Sequence, residues 1–272
     1  VRSDNALSNI TATNNTCSYN GGHGIHIRCS ISLDNVTANN NTCSNNSDDG
    51  IFIGERWGGT PMSYFTINNN TCDNNGHNGI WVRSSDNLSN IIANNNTCSY
   101  NYEHGIHIRS ETMMSNITAN NNTCSYNGDD TYESGIFMGG WADVPQENIT
   151  MDNNTCEGNA YAGIYLGAYP LSNATITNNT CSDSSYYGLY IESDDFVDNL
   201  TLDSNTCENN YDSGVYVEAD SLYNAVLRNN VCSYNDISNS GYAGIDIYLD
   251  YAENVTIDNN TCDYNGWNGI WI

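Results

Sequence analysis

The chain has 272 residues, with 32 acidic side chains, six arginines, no lysine and a formal net charge of −26. Nucleic acids and anionic lipids are recognised through basic clusters, so neither is expected as a partner. No apolar run approaches the ~20 residues of a membrane-spanning helix, so membrane insertion is not expected either. The composition therefore favours a soluble chain suited to a salty or cation-rich medium.

A short phrase recurs along the whole chain and closes on a cysteine each time. Successive cysteines are 25 to 32 residues apart, and a period of that length is typical of a stacked-repeat architecture. No break in composition interrupts the repeat, so we expect residues 1–272 to form a single domain that is a segment or protomer of a longer array. The ten cysteines are Cys17, Cys43, Cys72, Cys98, Cys124, Cys156, Cys181, Cys207, Cys232 and Cys262.

Each repeat unit, or rung, predicts short strands separated by turns. In the first rung Ile10 and Ala12 alternate with polar residues, which indicates a strand with one buried face. A polar turn follows the cysteine, and a glycine then leads a second apolar pair, Ile25 and Ile27. Since helical periodicity is lacking, we predict an all-β fold, a single right-handed parallel β-helix of about ten rungs, each ~4.8 Å above the last.

The recurring asparagines are explained by the same fold. Asn-Asn-Thr precedes eight of the ten cysteines, where the rung has to bend. Asparagine tolerates the left-handed backbone region and can hydrogen-bond to its equivalents in the rungs above and below. We therefore predict asparagine ladders, which account for the abundance of this residue without any functional role.

The repeated pattern N-x-T-C-x-x-N…G-I-x-I resembles the parallel β-helix repeat of the pectate-lyase-like superfamily. It is most similar to the repeats of NosD-type periplasmic proteins and of archaeal cell-surface proteins. The superfamily includes polysaccharide lyases and hydrolases, adhesins and structural surface proteins. The resemblance therefore implies the fold and leaves the function open.

The ten repeat cysteines are predicted to stack at one interior position. They could form a packing ladder of free thiols, because a buried free cysteine behaves as a small hydrophobic side chain. Disulfides between adjacent rungs are the alternative, although neighbouring Cβ atoms would be slightly too far apart. No Cys-x-x-Cys or Cys/His cluster at zinc spacing is present, so we predict no metal site of this kind. Cys29 lies outside the ladder and is predicted to be a free, exposed thiol.

A second column is predicted on the outside of the helix, between the two apolar residues of the second strand. If those neighbours point inward, these residues point outward and form an aromatic stripe. The stripe reflects either ordinary strand preference or a contact surface for a neighbouring rod or for sugar rings. Its members are His26, Phe52, Trp81, His107, Phe137, Tyr165, Tyr190, Tyr216 and Trp271, with Asp246 at the same position in the ninth rung.

The sequence gives only weak indications of catalytic residues. Gly22-His23-Gly24 resembles a short motif of polygalacturonases, but equivalent rungs carry Asp49, Asn78, His104 and Asn268 there, which indicates a turn residue. No single rung gathers the acids and the basic residue that the resemblance to pectate lyases would require. We therefore predict no catalytic residues, no enzyme activity and no cofactor. The acidic turns Asp48/Asp49, Asp129/Asp130, Asp194/Asp195 and Asp220 give a weak indication of calcium.

Many Asn-x-Ser/Thr sequons are present and are possible glycosylation sites. Most of them arise because the fold requires asparagine and threonine, so their number alone predicts little. Examples outside the Asn-Asn-Thr phrase are Asn9, Asn35, Asn87, Asn116, Asn148, Asn173, Asn199 and Asn254.

Two functional hypotheses remain. The first is a non-catalytic extracellular or cell-surface structural protein, forming a filament, sheath or surface layer by end-to-end stacking with copies of itself. Ile270 and Ile272 of one copy would then cover Leu7 and Ile10 of the next. The alternative is a polysaccharide-binding or polysaccharide-degrading β-helix protein.

Insertions at residues 55–64, 127–134, 139–147 and 235–243 are predicted to be external loops, with Trp57 and Trp141 on the surface.

Overall fold

The computed structural model describes residues 1–55, 61–129, 132–140, 144–237 and 240–272. Those residues form 19 β-strands and no helix, and every strand pairing is parallel. No helix in the described part of the chain is both long and apolar enough to cross a membrane. The predicted all-β parallel solenoid is therefore confirmed.

Each rung contributes two strands that pair with the equivalent strands of the rungs above and below. The first strand carries the alternation around Ile10 and the second carries the Gly-Ile-x-Ile phrase, and in the later rungs the two merge or shorten. In chain order they are β1 (Leu7–Thr13), β2 (Ile25–Cys29), β3 (Leu33–Asn39), β4 (Ile51–Glu55), β5 (Met62–Thr66), β6 (Ile80–Arg83), β7 (Leu88–Ile92), β8 (Ile106–Arg109), β9 (Met114–Thr118), β10 (Ile136–Gly139), β11 (Gln146–Asp152), β12 (Ala162–Ala168), β13 (Leu171–Thr177), β14 (Tyr187–Asp203), β15 (Val215–Tyr223), β16 (Val226–Arg228), β17 (Ala243–Glu253), β18 (Thr256–Asp258) and β19 (Asn268–Trp271).

A third side of each rung is formed at the threonine before the repeat cysteine. Isolated parallel bridges join this position from Thr16 to Thr261 through all the rungs between them. The corners between the three sides have left-handed backbone conformations, at Asn9, Asn14 and Tyr19 in the first rung. Asparagine is among the non-glycine residues that adopt this region most readily, so the corners explain why it recurs five residues apart.

The interior combines an apolar core with asparagine ladders at the corners. Isoleucine, leucine and the repeat cysteines fill the core, where most are completely buried. The second asparagine of each Asn-Asn-Thr phrase points inward and bonds its equivalents; Asn96, for example, donates to Oδ1 of Asn122 and to the carbonyl of Ile67. A second ladder runs through Asn46, Asn75 and Asn101. The predicted asparagine ladder is thus present twice.

The glycine that opens the second strand is required by the stacking itself. A Cβ placed on Gly79 would lie 2.6 Å from the carbonyl oxygen of Gly105 in the next rung and 2.8 Å from Cβ of Cys98. The backbones of successive rungs approach too closely there for any side chain. This contact explains why a glycine leads every second-strand phrase.

The insertions are shorter than predicted. Glu55 belongs to β4 and Met62 to β5, and Gln146 belongs to β11; all three are buried, so the predicted loops began too early or ended too late. Val144 also packs into the core. Trp57 and Trp141, which were predicted to lie on the surface, are outside the described residues.

Candidate functional site

The predicted aromatic residues lie in one column along the outer side of the second strands. Ile25 and Ile27 point into the core, so His26 between them points away from it. The strand register aligns His26 with Phe52, Phe52 with Trp81, and Trp81 with His107. The same register continues through Tyr165, Tyr190 and Tyr216 to Asp246 and Trp271. We call this the aromatic column.

The aromatic column is not the exposed stripe that the alternation predicted. The exposed fraction is only 7% for Phe52, 9% for His107 and 6% for Tyr190. Five further members are half-buried: His26, Trp81, Phe137, Tyr165 and Tyr216. Trp271, at 47%, is exposed.

Two kinds of contact cover the column. Rings of successive rungs touch, with centroids 5.1 Å apart for Phe52 and Trp81 and 5.7 Å apart for Trp81 and His107. Turn residues fold over it as well: His23 stacks on Phe52, and His104 stacks on Phe137. Sequence alternation identified the outward side but could not show what covers it.

Towards the C-terminal rungs the column becomes a tyrosine cluster. Seven tyrosines pack around Ala162 and form a second apolar cluster outside the main core: Tyr161, Tyr165, Tyr186, Tyr187, Tyr190, Tyr216 and Tyr242. The Tyr165 hydroxyl donates to Glu192, and that of Tyr190 donates to Glu218 at 3.0 Å. Burial raises the pKa of Tyr165 and Tyr190 well above the usual range, so both remain neutral donors.

A second outward column lies two residues after the aromatic column. In the register it runs through Arg2, Arg28, Gly54, Arg83 and Arg109, and later through Glu192 and Glu218. We call it the arginine–glutamate column. It contains four of the six arginines of the chain, so positive charge is concentrated at one end of one face.

The arginines are paired unequally with acids. Nη2 of Arg83 lies 2.9 Å from Oε1 of Glu111, and Nη2 of Arg109 lies 3.9 Å from the same oxygen. Burial, followed by the neighbouring charge of Arg83, lowers the pKa of Arg109 to about 10, which still leaves it charged at neutral pH. Among the residues that the structure describes, neither Arg2 nor Arg28 lies within ion-pair distance of a carboxylate.

The two columns border a groove of about 390 Å³ near the N-terminal end. Aromatic, basic and acidic side chains all face this space. Its lining is His23, His26, Arg28, Asp48, Phe52, Glu55, His77, Trp81 and Arg83. The guanidinium of Arg83 also lies over the Trp81 ring, 5.9 Å from its centroid.

The histidines of the aromatic column are neutral at physiological pH. Burial, followed by the nearby His23, lowers the pKa of His26 to about 4, and burial lowers that of His107 well below its ordinary value. Their rings therefore supply hydrogen-bonding atoms and flat surfaces, while the arginines supply the positive charge.

The histidine of Gly22-His23-Gly24 is a turn residue, as its changing identity between rungs predicted. Nδ1 of His23 accepts a hydrogen bond from the backbone N–H of Asp49, and Oδ1 of Asp49 accepts one from that of Asn78. In the same way, the Asn78 side chain accepts a hydrogen bond from the backbone N–H of His104, and the His104 side chain accepts one from that of Ser134. Burial lowers the pKa of His104 to about 4, which keeps it a neutral acceptor.

The model for the right-handed β-helix region matches residues 3–143, 58–231 and 167–272, which together span nearly the whole sequence. The chain belongs to the right-handed β-helix family. No curated protein matches it. The predicted right-handed coil is confirmed by this assignment.

Two solved structures match this chain over most of its length. The A-module of the Azotobacter vinelandii mannuronan C-5 epimerase AlgE4 is 15% identical, with a TM-score of 0.41, over 97% of this chain and 78% of that one. The A-module of AlgE6 from the same organism is 8% identical, with a TM-score of 0.38, over 96% of this chain and 80% of that one.

The structure places the repeat cysteines of the β-helix at one interior position. Cys43 through Cys232 are completely buried, while Cys17 and Cys262 in the end rungs are half-buried, and all are free thiols. The prediction for Cys29 was wrong: it is completely buried. It follows Ile25 and Ile27 on the inward side of β2, and burial raises its pKa.

The eight predicted sequon asparagines are all exposed, and seven of them have a left-handed backbone conformation. Glycosylation stays a prediction. The members are Asn9, Asn35, Asn87, Asn116, Asn148, Asn173, Asn199 and Asn254, of which Asn87 is the one without that conformation.

The acidic turns that gave a weak indication of calcium are mostly at the surface. Asp129, Asp194 and Asp220 are exposed, and Asp130 is outside the described residues. Asp49 is different, since it is completely buried and lies near His77 and Glu103. Sequence reasoning missed this cluster because its members come from three rungs, and aligning the rungs would have been needed to find it.

Proposed function

We propose that this β-helix binds an anionic, carboxylate-bearing polysaccharide along the face formed by the aromatic and arginine–glutamate columns. The observation that carries the proposal is the coincidence of both columns at one groove in a chain of net charge −26.

The arginine positions support an anionic ligand. The backbone of Arg2 forms a parallel β-bridge with that of Arg28, and Arg83 is in register with Arg109. Like charges directly opposite each other in a sheet are destabilising. Glu111 compensates Arg83 and Arg109. For Arg2 and Arg28 a bound carboxylate would supply the compensation, and guanidinium groups bind carboxylates through paired, charge-assisted hydrogen bonds.

The repeat supports a polymeric ligand. Equivalent side chains recur about every 4.8 Å along the helix axis, so a chain of similar units can make the same contacts several times. Trp81 offers a partly exposed ring surface beside the guanidinium groups. Ring surfaces beside a few charged groups are typical of pockets that orient a ligand with an apolar face and a polar edge.

Affinity electrophoresis through gels containing polygalacturonate, mannuronan or a neutral glucan tests the proposal. We expect retardation by the acidic polymers, weakened by salt. Arg28→Gln should weaken binding about tenfold or more, since a charge-assisted hydrogen bond contributes about 1.5–3 kcal/mol. Trp81→Ala should also weaken binding, because the ring surface beside the guanidinium groups is lost. Arg228→Gln is the matched control, because Arg228 is exposed and pairs with Asp203 away from the groove.

Equal retardation by the neutral glucan, or equal effects of Arg28→Gln and Arg228→Gln, would contradict this function. The prediction that the chain is not an enzyme stays a prediction; shortening of either acidic polymer during incubation would disprove it. End-to-end assembly and an extracellular location likewise stay predictions.

A further inference from the structure

Three ligand-type side chains from successive rungs converge at the turn that precedes the second strand. Asp49, His77 and Glu103 each place one ligand atom within 4.8 Å of the other two. Asp49 is completely buried, Glu103 is half-buried and His77 is exposed. The group therefore has a fixed inner member and an outer face open to solvent.

Asn78 holds the two carboxylates in place. Its Nδ2 donates to Oδ1 of Asp49 at 3.0 Å and to Oε2 of Glu103 at 2.6 Å. Its backbone N–H donates to the same Oδ1 at 2.9 Å. Because one amide group bridges both acids, the carboxylates are oriented before any ligand arrives.

Asp49 has one oxygen without a hydrogen-bond donor. Oδ2 is buried and receives no hydrogen bond. Its neighbour at 3.0 Å is Nδ1 of His23; in the neutral tautomer in which Nδ1 accepts the hydrogen bond from the Asp49 backbone N–H, that atom has no proton to donate to Oδ2. A buried carboxylate with an unsatisfied oxygen is unfavourable unless a cation is bound nearby.

We infer that Asp49, His77 and Glu103 bind a divalent transition-metal ion, with Zn²⁺ the best match. One imidazole with two carboxylates suits zinc, whereas calcium and magnesium prefer oxygen ligands alone. Zinc binds such ligands at about 2.0–2.2 Å, so the ligand atoms of a tetrahedral site lie roughly 3.4 Å from one another. Atoms that are within 4.8 Å of one another therefore need to close by about 1 Å, a movement that the exposed His77 and half-buried Glu103 side chains can make. Water would fill the remaining position. The inference does not depend on polysaccharide binding.

Isothermal titration of the full chain with ZnCl₂ tests the site. We expect saturable binding of one ion, together with an increase in thermal stability, since a ligand bound to the folded state stabilises it. His77→Gln should weaken binding at least tenfold without affecting the fold, because His77 is exposed. Asp49→Asn should also weaken it, although it keeps the acceptor for Asn78. Asp48→Asn is the matched control and should bind normally.

The cysteines need a separate control, because thiolates also bind zinc. Cobalt(II) bound at this site should show no thiolate charge-transfer absorption, whereas binding at Cys17 or Cys262 would show it. The inference is overturned by an absence of zinc binding, by unchanged affinity in His77→Gln, or by thiolate absorption in the cobalt complex. Calcium binding that competes equally with zinc would also overturn it.

Discussion

Oδ1 of Asn122 accepts two hydrogen bonds from Asn96, one from its backbone N–H at 2.9 Å and one from its Nδ2 at 3.0 Å. The second hydrogen of Nδ2 goes to the carbonyl of Ile67, in the rung on the other side. An inner asparagine such as Asn96 thus joins three rungs and satisfies a backbone carbonyl at the bend. Buried polar groups are costly when unpaired, so the ladder stabilises the bend.

Replacement of Asn96 by aspartate should destabilise the helix strongly. The change keeps the shape but replaces the Nδ2 donor with an oxygen that faces Oδ1 of Asn122 and the Ile67 carbonyl. We expect a loss of about 3 kcal/mol or more, as two buried acceptors lose their donor. Thermal unfolding followed by circular dichroism measures it. Asn116→Asp, at an exposed corner where the acceptor role is kept, should change stability little; equal losses would contradict the ladder's role.

Gly79→Ala should be destabilising because the added Cβ meets the Gly105 carbonyl oxygen at 2.6 Å. Overpacking of this kind costs about 1–3 kcal/mol. Gly21→Ala is the matched control, since nothing lies within 4 Å of the added atom there. That change should be neutral or stabilising by up to about 1 kcal/mol, because it restricts the unfolded chain. Urea unfolding compares the two, and a neutral Gly79→Ala would disprove the close approach.

The thiols should react according to their burial. A disulfide reagent has to reach the sulfur atom, and Cys29 and the ladder cysteines from Cys43 to Cys232 are completely buried. In the native protein we expect rapid labelling of Cys17 and Cys262 alone, and of all eleven cysteines after denaturation.

Two variants sharpen the thiol experiment. Cys17→Ala should lower the rapid count by one, while Cys29→Ala should leave it unchanged, because Cys29 is buried. Fewer than eleven thiols in denaturant without reductant would show that disulfides form between rungs.

Asp246 should make stability fall as the pH rises. It is 1% exposed in the aromatic column, and burial raises its pKa to about 6, against about 3.9 when unfolded. Between these values the folded state binds more protons at Asp246 than the unfolded state does, so the contribution of Asp246 to stability is fully present below about pH 4 and is lost as the pH rises through about 6.

Asp246→Asn removes that titration and should raise the free energy of unfolding at pH 7 by about 2–3 kcal/mol relative to the parent chain. The difference between the two proteins should shrink towards pH 4. The exposed Asp258→Asn is the control for the change in net charge. A gain at pH 7 equal to that of Asp258→Asn, or one that does not depend on pH, would contradict this assignment.

The sequence by itself determined the solenoid, its rung period and its inner side. Period-2 alternation sorts residues such as Ile25 and His26 to opposite sides of a strand, and asparagine at the bends follows from the left-handed corners. These features depend on interactions that repeat locally in every rung, so a single rung already contains the information.

Only the tertiary structure decided what lies beside each outward residue. The aromatic column is largely covered because rings from neighbouring rungs and turns pack over it, which alternation within one strand does not reveal. Cys29 is buried because β2 continues two residues further than its apolar pair suggested. The cluster of Asp49, His77 and Glu103 depends on the register of rungs of unequal length, and that register is set by stacking across the whole helix.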